Sequence, residues 1–294
     1  MFTMYELQGI IDQALAEDIG TGDLSAQIIA PGVIGQAHLY AKQEGVVAGL
    51  ELAQQVFQRV DSGIKVQILL QDGAKVIPGT VVMELQGSLS SILQAERVAL
   101  NFLQHLSGIA TATALVVELI KDLPVTVTDT RKTLPGLRKL QKYAVRVGGG
   151  RNHRFGLYDA VMLKDNHLSA VGGLSKAVEL AREAIGHMVK IEVECETIEQ
   201  VKEAVACRVD VIMLDNMSVI EMREAVNYVN HRAIVEASGG ITKEGLYEVA
   251  ATGIDVISLG ALTHSVKALD FSLDVGEIKN TTRQRWQRGI GNGS

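Results

Sequence analysis

From about residue 112 to residue 267 the chain alternates between short apolar runs and amphipathic helical segments. The apolar runs are VTVTD, DAVMLKD, KIEVEC, VDVIMLD, AIVEASGG and IDVISLG. Between the later runs lie LSKAVELAREAIG, IEQVKEAVACR, VIEMREAVNYV and KEGLYEVAATG, where apolar residues recur at helical spacing. Such alternation is typical of right-handed βαβ units around a parallel sheet. There is room for about six or seven units, and a complete eight-unit barrel takes about 250 residues, so we expect a short, irregular and incomplete α/β barrel. A doubly wound open sheet is the alternative.

The first 111 residues have a different pattern of helical and strand-like segments. MYELQGIIDQALAEDIG and LELAQQVFQRV have helical spacing, whereas GQAHLYAKQEGVVAG, KVQILLQDGAKVI and GTVVMELQG are strand-like and bounded by turn residues. A helical stretch from Ile92 to Ile120, softly broken at Ser107 and Gly108, is predicted to link this domain to the barrel at 112–267. After the barrel, a segment at 268–285 is predicted to return to the first domain as a strand.

Composition excludes several classes of protein. The formal net charge of −6 argues against a general nucleic-acid binder, which needs a broad excess of Lys and Arg. The two cysteines form neither a disulfide framework nor a CxxC motif, which fits a reducing cytoplasm. The chain shows no signal-peptide pattern, and no apolar run approaches the roughly 20 residues of a membrane span. We therefore expect a cytoplasmic protein with no nucleic-acid or membrane partner.

The residues that close the apolar runs are candidates for a binding site, because parallel α/β folds bind ligands at the carboxyl ends of their strands. Any one of these residues could instead be a helix cap or a solvated loop residue. Their recurrence at six runs favours a common site. They are Asp129 to Lys132, Lys164 with Asp165 and Asn166, Glu194, Asp215 with Asn216, Ser238 with Gly239 and Gly240, and Gly260 leading to His264.

The segment RKTLPGLRKLQKYAVRVGGGRNHR, residues 131–154, carries eight Lys or Arg residues and no Asp or Glu. Arginine and lysine at a strand end fit a small polycarboxylate or a phosphate. The carboxylates of Glu194 and Asp215 fit Mg²⁺, sugar hydroxyls or a developing cation. Glycine-rich SGG, before the helix predicted to begin at Thr242, and LGALTHS offer backbone N–H groups for phosphate. Together these features predict a site for a phosphorylated sugar, an anionic partner and a divalent metal.

Other patterns carry little weight. GGGRNH lacks the spacing of a nucleotide-binding loop, and no HExxH pair indicates a zinc site. Arg138, Lys139, Lys142 and Arg146 fit the solvated face of a helix as well as they fit a site.

The stretch DTRKTLPGLRKLQKYAVRVGGGRNHRFGLYDAVMLKDNH resembles the quinolinate phosphoribosyltransferase family, and so do ALAEDIGTGDLS, ERVALNFLQHLSGIATAT, EVE, IMLDN, SGG and GALTHS. The resemblance implies an N-terminal α/β sandwich domain plus an irregular, incomplete α/β barrel. It implies transfer of phosphoribosyl from phosphoribosyl pyrophosphate to quinolinate, with decarboxylation, in de novo NAD biosynthesis. The products are nicotinate mononucleotide, pyrophosphate and CO₂.

The resemblance also implies roles for single residues. Arg131, His153, Arg154 and Lys164 surround the carboxylates of quinolinate, Thr130 lies beside them, and Lys132 and Lys164 reach the phosphoribosyl donor. Glu194 and Asp215 meet the ribose hydroxyls and Mg²⁺, partly through the substrate. The phosphate-binding rim is formed by Ser238, Gly239, Gly240, Gly260 and His264. The residues with catalytic roles are Lys132, Lys164, Glu194 and Asp215.

The family resemblance further implies a homodimer, or a higher assembly, in which Arg97 reaches the partner's site, and it implies Mg²⁺ but no organic cofactor. Three alternatives stay open. The first is a related phosphoribosyltransferase with another acceptor, such as nicotinate phosphoribosyltransferase or the homologue associated with molybdate transport. The others are a Schiff-base aldolase using Lys164 and a non-catalytic anion-binding protein.

Overall fold

The computed structural model describes residues 4–30 and 32–276. The described chain forms two compact units. One comprises the residues up to Ala112 and those from Val266 onward, and the other comprises Thr113–Ser265. Of the predicted returning segment, residues 277–285 lie outside the described residues.

The helices and strands alternate along the chain. The strands are β1 Ile34–Ala41, β2 Gly45–Val46, β3 Lys65–Ile68, β4 Lys75–Val76, β5 Val81–Ser88, β6 Thr126–Thr128, β7 Val161–Leu163, β8 Ile191–Cys195, β9 Val211–Asp215, β10 Ile234–Ser238, β11 Val256–Ser258 and β12 Phe271–Val275. The helices are α1 Met4–Ile19, α2 Leu50–Val60, α3 Leu89–Leu119, α4 Arg138–Val147, α5 Asp165–Val171, α6 Leu174–Ala184, α7 Ile198–Ala206, α8 Val219–Val229, α9 Leu246–Ala250 and α10 Ala261–His264.

The first unit is built on a four-stranded antiparallel sheet in the order β12-β1-β5-β3. Strand β12 pairs with β1, with Leu273 opposite Leu39. Helix α2 lies against β3 and buries Val56 and Phe57 completely. One face of the sheet is therefore covered by helices, as in an α/β sandwich.

Helix α3 is continuous through Ser107 and Gly108, so the predicted break is wrong. Ser107 is fully buried, and its hydroxyl accepts a hydrogen bond from the backbone N–H of Ala48. A Cβ atom on Gly108 would lie 2.3 Å from the carbonyl oxygen of Lys267. The small residues thus allow close packing against other chain segments, and they do not end the helix.

By length and composition, α3 is also apolar enough to cross a membrane, with a mean hydropathy of 1.3 in its most apolar window. The prediction that no apolar run approaches the length of a membrane span is wrong for α3. Half of the window is buried inside the structure, and Ile92, Leu103 and Ile109 are completely inaccessible. This burial is typical of the core helix of a soluble protein.

The second unit contains a six-stranded parallel sheet in the order β6-β11-β10-β9-β8-β7. From β7 to β11, strands that are neighbours in the sheet are also consecutive in the chain. Strand β6, the first of this unit, pairs with β11, the last. No pairing joins β6 to β7 within the described residues, so the ring of strands is open there. The predicted incomplete barrel is confirmed, and the open doubly wound sheet is excluded because its strand order reverses at a switch point.

A buried ion pair fixes the segments that flank this opening. Asp129 follows β6 and Lys142 lies on α4; both are inaccessible, and the Lys142 ammonium donates to Asp129 Oδ1. Asp129 also accepts from the backbone N–H of His153 at 2.9 Å and from Asn152 Nδ2 at 2.6 Å. Lys142 donates to the carbonyl oxygen of His153 at 3.0 Å. The pair therefore joins the end of β6, helix α4 and the segment at 152–153.

The pair also settles the role of the basic residues on α4. Burial raises the pKa of Asp129 and lowers that of Lys142, so each charge depends on the other. Arg138 donates to Thr133 Oγ1 and to the carbonyl oxygen of Phe155. Lys142 and Arg138 therefore hold the chain in place, and they belong neither to a solvated face nor to the wall of a site. Lys139 and Arg146 are exposed.

We predict that Lys142→Met lowers the free energy of unfolding by about 3–5 kcal/mol, because it leaves the Asp129 carboxylate buried and unpaired. Urea denaturation followed by circular dichroism measures the change. Lys190→Met, at an exposed lysine of the same unit, is the control and should change the value by less than about 0.5 kcal/mol. Equal losses in the two variants would contradict the assigned role of the pair.

Candidate active site

The carboxyl ends of the six parallel strands surround a cavity of about 610 Å³. Such ends meet at one edge of a sheet, and a cavity of this volume is typical of small-molecule sites. Most of its lining residues lie on the strands or shortly after them, whereas His153 and Arg154 lie between α4 and β7. They are Thr130, Arg131, Lys132, His153, Arg154, Met162, Lys164, Glu194, Met213, Asp215, Asn216, Ser238, Gly239, Gly240 and Ser258.

Two arginines form the basic side of the cavity. The Nε atoms of Arg131 and Arg154 are buried, and neither has a hydrogen-bond partner in the described part of the chain. Arg154 donates one bond from Nη1 to the carbonyl oxygen of Ala160 at 2.9 Å. Burial, and then the charge of Arg131, lower the pKa of Arg154. Two guanidinium groups with unused donors and mutual repulsion make a site that an anion would stabilise.

The opposite side carries carboxylates from neighbouring strands. Glu194 is the last residue of β8 on its inward face. Its carboxylate accepts a hydrogen bond from the ammonium of Lys164, which follows β7. Asp215 closes β9 and accepts from Asn216 Nδ2 at 3.1 Å. Glu194 and Asp215 thus supply the oxygen donors that Mg²⁺ prefers, beside an ammonium group that can bind an anion.

The glycine side has a tight turn after β10. Gly239 and Gly240 have φ values of +87° and +60°, and a Cβ atom on Gly239 would lie 2.3 Å from the side chain of Asn216. Residue 239 must therefore be glycine if Asn216 is to keep its place. The helix expected to begin at Thr242 begins at Leu246 instead, with a turn at 243–245, so the expected helix terminus next to SGG is wrong.

The predicted site residues divide into three groups. Eleven line the cavity: Thr130, Arg131, Lys132, His153, Arg154, Lys164, Glu194, Asp215, Ser238, Gly239 and Gly240. Gly260 and His264 are not among the lining residues, but a Cβ atom on Gly260 would lie 2.9 Å from Lys132 Cδ and 3.1 Å from the His264 ring. Arg97 is an exposed residue of α3 in the other unit.

Sequence reasoning missed an inner layer of residues. Met162, Glu192, Met213, Glu236 and Ser258 lie on the inward face of their strands, and each precedes by two positions a residue that closes an apolar run. The signal was present, because side chains two residues apart on a strand share a face. The spacing of Glu192 and Glu194 in the run KIEVEC is an example.

His153 faces the carboxylates of this inner layer. Its Nε2 lies 3.1 Å from Glu192 Oε2 and 3.5 Å from Glu236 Oε1. Burial opposes the charged imidazolium, but the hydrogen bond and charge of Glu192 outweigh it and raise the pKa of His153. Burial and the charge of Glu192 raise the pKa of Glu236 to about 7. Atoms of the three residues lie within 4.8 Å of one another, a spacing that could suit a metal ion.

The family models of known proteins also divide the chain into two parts, close to residue 108. Residues 23–107 match the family model of the quinolinate phosphoribosyl transferase N-terminal domain, and residues 109–274 match that of its C-terminal domain. A probable carboxylating nicotinate-nucleotide pyrophosphorylase of Bacillus subtilis is 47% identical over 92% of this chain and 93% of that protein. A decarboxylating quinolinate phosphoribosyltransferase of Nicotiana glauca is 45% identical over 92% of this chain and 83% of that protein.

Solved structures agree in fold. NadC from Streptococcus pyogenes has a TM-score of 0.91 and 43% identity, covering 95% of this chain and 99% of that chain. The nicotinate-nucleotide pyrophosphorylase from Francisella tularensis has a TM-score of 0.91 and 39% identity, covering 94% and 98%. With both units matched and a charged cavity at the strand ends, the chain belongs to the quinolinate phosphoribosyltransferase family.

Proposed function

We propose that this protein transfers the phosphoribosyl group of phosphoribosyl pyrophosphate to the ring nitrogen of quinolinate and releases pyrophosphate and CO₂, giving nicotinate mononucleotide. The observation that carries the proposal is the pair of guanidinium groups of Arg131 and Arg154, whose buried Nε donors have no partner in the described residues. They stand in one cavity with the carboxylates of Glu194 and Asp215. Membership of the family, and the names of the relatives, support the same reaction.

The acceptor is a pyridine dicarboxylate, so it needs more than one cation. Arg131 and Arg154 bind its carboxylates, Lys164 adds a third positive charge, and His153 and Thr130 complete this side of the cavity. Guanidinium binds carboxylate through paired N–H groups, which fixes the orientation of the ring as well as its charge. The ring nitrogen is thereby held toward the carboxylate side of the cavity.

The phosphoribosyl donor occupies the other half of the site. Lys132 and Lys164 bind its phosphate oxygens, with Ser238, Gly239, Gly240, Gly260 and His264 as the rim. Glu194 and Asp215 would hold Mg²⁺ together with oxygens of the donor, since Mg²⁺ commonly takes one or two carboxylates plus substrate phosphates. A Mg²⁺ ion held there would supply positive charge near the leaving pyrophosphate.

In the reaction the C1–oxygen bond to pyrophosphate breaks and the bond from C1 to the ring nitrogen forms. C1 carries positive charge on the way, and Glu194 and Asp215 have the sign that stabilises it; losing one such contact costs about 3–4 kcal/mol. The carboxylate next to the new cationic nitrogen then leaves as CO₂, and its electron pair stays on the ring carbon until a proton replaces it. The cationic ring is the electron sink, so the proposed reaction needs no organic cofactor.

We also propose a cytoplasmic homodimer in which Arg97 of one subunit completes the site of the other. The resemblance of the AERVALN segment to the family supports this role, and Arg97 is exposed. Lys164 is a weaker candidate for Schiff-base chemistry, because its ammonium is paired with Glu194 and a nucleophilic amine must be neutral.

Incubation of the purified protein with quinolinate, phosphoribosyl pyrophosphate and Mg²⁺ should give nicotinate mononucleotide, pyrophosphate and CO₂ in equal amounts, detected by liquid chromatography and release of labelled CO₂. Exhaustive chelation should abolish turnover, and Mg²⁺ should restore it. Faster turnover of nicotinate than of quinolinate would overturn the proposed acceptor. Full activity after chelation would overturn the metal.

Arg131→Ala and Arg154→Ala should each weaken quinolinate binding by about 10- to 150-fold, because a hydrogen bond to a charged group contributes roughly 1.5–3 kcal/mol. Titration calorimetry measures the affinity directly. Arg146→Ala removes an exposed arginine outside the cavity and serves as the control. Unchanged affinity in both cavity variants would move the dicarboxylate site elsewhere.

A mixed dimer tests the shared site. Arg97→Ala and Asp215→Asn should each inactivate a homodimer, because every site then lacks one group. After random subunit exchange about half of the dimers are mixed, and one of their two sites is intact under two-fold symmetry, so activity should recover to about a quarter of the original. Co-expression with two affinity tags isolates the mixed dimer. Activity no higher than that of the parent variants would exclude a shared site.

A further inference from the structure

Glu192 and Glu236 lie beneath the cavity and take no part in the reaction proposed above. Each precedes a cavity residue by two positions on its strand, and their exposed fractions are only 5% and 3%. Both carboxylates face His153 Nε2, at 3.1 Å for Glu192 and 3.5 Å for Glu236. The acidic pair therefore supports one wall residue of the cavity from behind.

The hydrogen bonds of His153 define which ring nitrogen carries the proton. The backbone N–H of Arg154 donates to His153 Nδ1 at 2.8 Å, so Nδ1 must offer a lone pair. The neutral ring then carries its proton on Nε2 and donates it to Glu192. A metal ion on Nε2 would require both ring nitrogens to be unprotonated, so this arrangement favours a hydrogen-bonded relay over a metal site.

The His153 ring thus links the buried carboxylate of Glu192 to the backbone N–H of Arg154. On one side Glu192 fixes the direction of the Nε2–H bond. On the other side Nδ1 fixes the backbone N–H of Arg154, while the backbone N–H of His153 is held by Asp129 at 2.9 Å. Arg154 is left with a buried Nε that has no partner among the described residues.

We propose that Glu192 is a positioning residue for the dicarboxylate acceptor, acting through the His153 ring on the peptide of Arg154. The proposal rests on the function proposed above. Glu236 is farther from the ring, and its Oε1 has no hydrogen-bond partner among the described residues, so the role belongs to Glu192. When Glu192 no longer accepts the Nε2–H bond, the ring turns, the Arg154 N–H bond is lost, and the guanidinium leaves the orientation that binds carboxylate.

Two substitutions separate positioning from packing. Glu192→Leu keeps much of the volume but cannot accept a hydrogen bond, and it should raise the KM for quinolinate about tenfold or more, since small misplacements of a binding group have effects of this size. The KM for phosphoribosyl pyrophosphate should change less than about twofold, because the relay does not reach the donor half of the cavity. Glu192→Gln still offers an acceptor oxygen to Nε2–H, so it should recover most of the quinolinate affinity.

Ring nitrogen chemical shifts give a readout that does not depend on activity. In ¹⁵N-labelled protein without substrate, at a pH high enough to deprotonate the imidazolium of His153 despite its raised pKa, the neutral ring should be in the Nε2–H form. In Glu192→Leu the His153 ring should no longer be confined to the Nε2–H form. The ring signals of His153 are identified as those that disappear in His153→Gln. An Nδ1–H form in the unsubstituted protein, or equal quinolinate KM values in the Leu and Gln variants, would overturn the proposal.

The two proposals fail in different ways. If the unsubstituted protein forms no nicotinate mononucleotide, the proposed function fails, and the ring nitrogen shifts still test the relay. If the unsubstituted protein is active and calorimetry shows that Glu192→Leu binds quinolinate as tightly as the unsubstituted protein does, the positioning role of Glu192 is disproved and the proposed function stands. If Glu192→Leu does not fold, the Nε2–H form of the unsubstituted protein remains the deciding measurement.

Discussion

The site depends on a buried pair of opposite charges, Asp129 and Lys142. Neither charge alone is stable away from water, since desolvation favours the neutral form of each. Their pairing fixes the end of β6 relative to α4 and to the backbone of His153. Arg131 follows Asp129 by two residues, and Arg154 follows His153 directly. This one interaction therefore fixes the backbone from which both arginine side chains extend into the cavity.

A second level of order comes from the two-residue period of the strands. On β8 and β10 the inward-facing row presents one residue to the cavity and another to the layer below it, as Glu194 and Glu192 do on β8. The upper residues, Glu194 and Ser238, line the cavity, and the lower residues, Glu192 and Glu236, face the ring of His153. The strands therefore supply both the binding groups and their support, which is why a short barrel suffices for a highly charged site.

Much of this architecture could be predicted from sequence. The apolar runs matched the strands of the barrel, and most of their closing residues line the cavity, because parallel strands bring their carboxyl ends together whatever the details of the loops. Periodicity could not tell which face of α4 is buried. Lys142 is a charged residue in a basic segment, and only its partner 13 residues earlier makes burial possible. Similarly, Ser107 and Gly108 suggest a break in α3 unless the neighbouring chain that needs their small size is known.

The opening between β6 and β7 has a consequence for how such a barrel can change. Where a closed ring would have a full backbone ladder, the chain at 129–160 makes a single bridge to β6, between Arg151 and Thr128. The rest of this segment presents side chains, and Arg131, Lys132, His153 and Arg154 all come from it. A wall made of side chains can be altered by substitution or by a change in loop length without breaking any strand pairing. The carboxylate and glycine sides belong to the paired strands and have less freedom. Selection for a new acceptor can therefore act on Arg131, His153 and Arg154 while the paired strands of the barrel stay as they are.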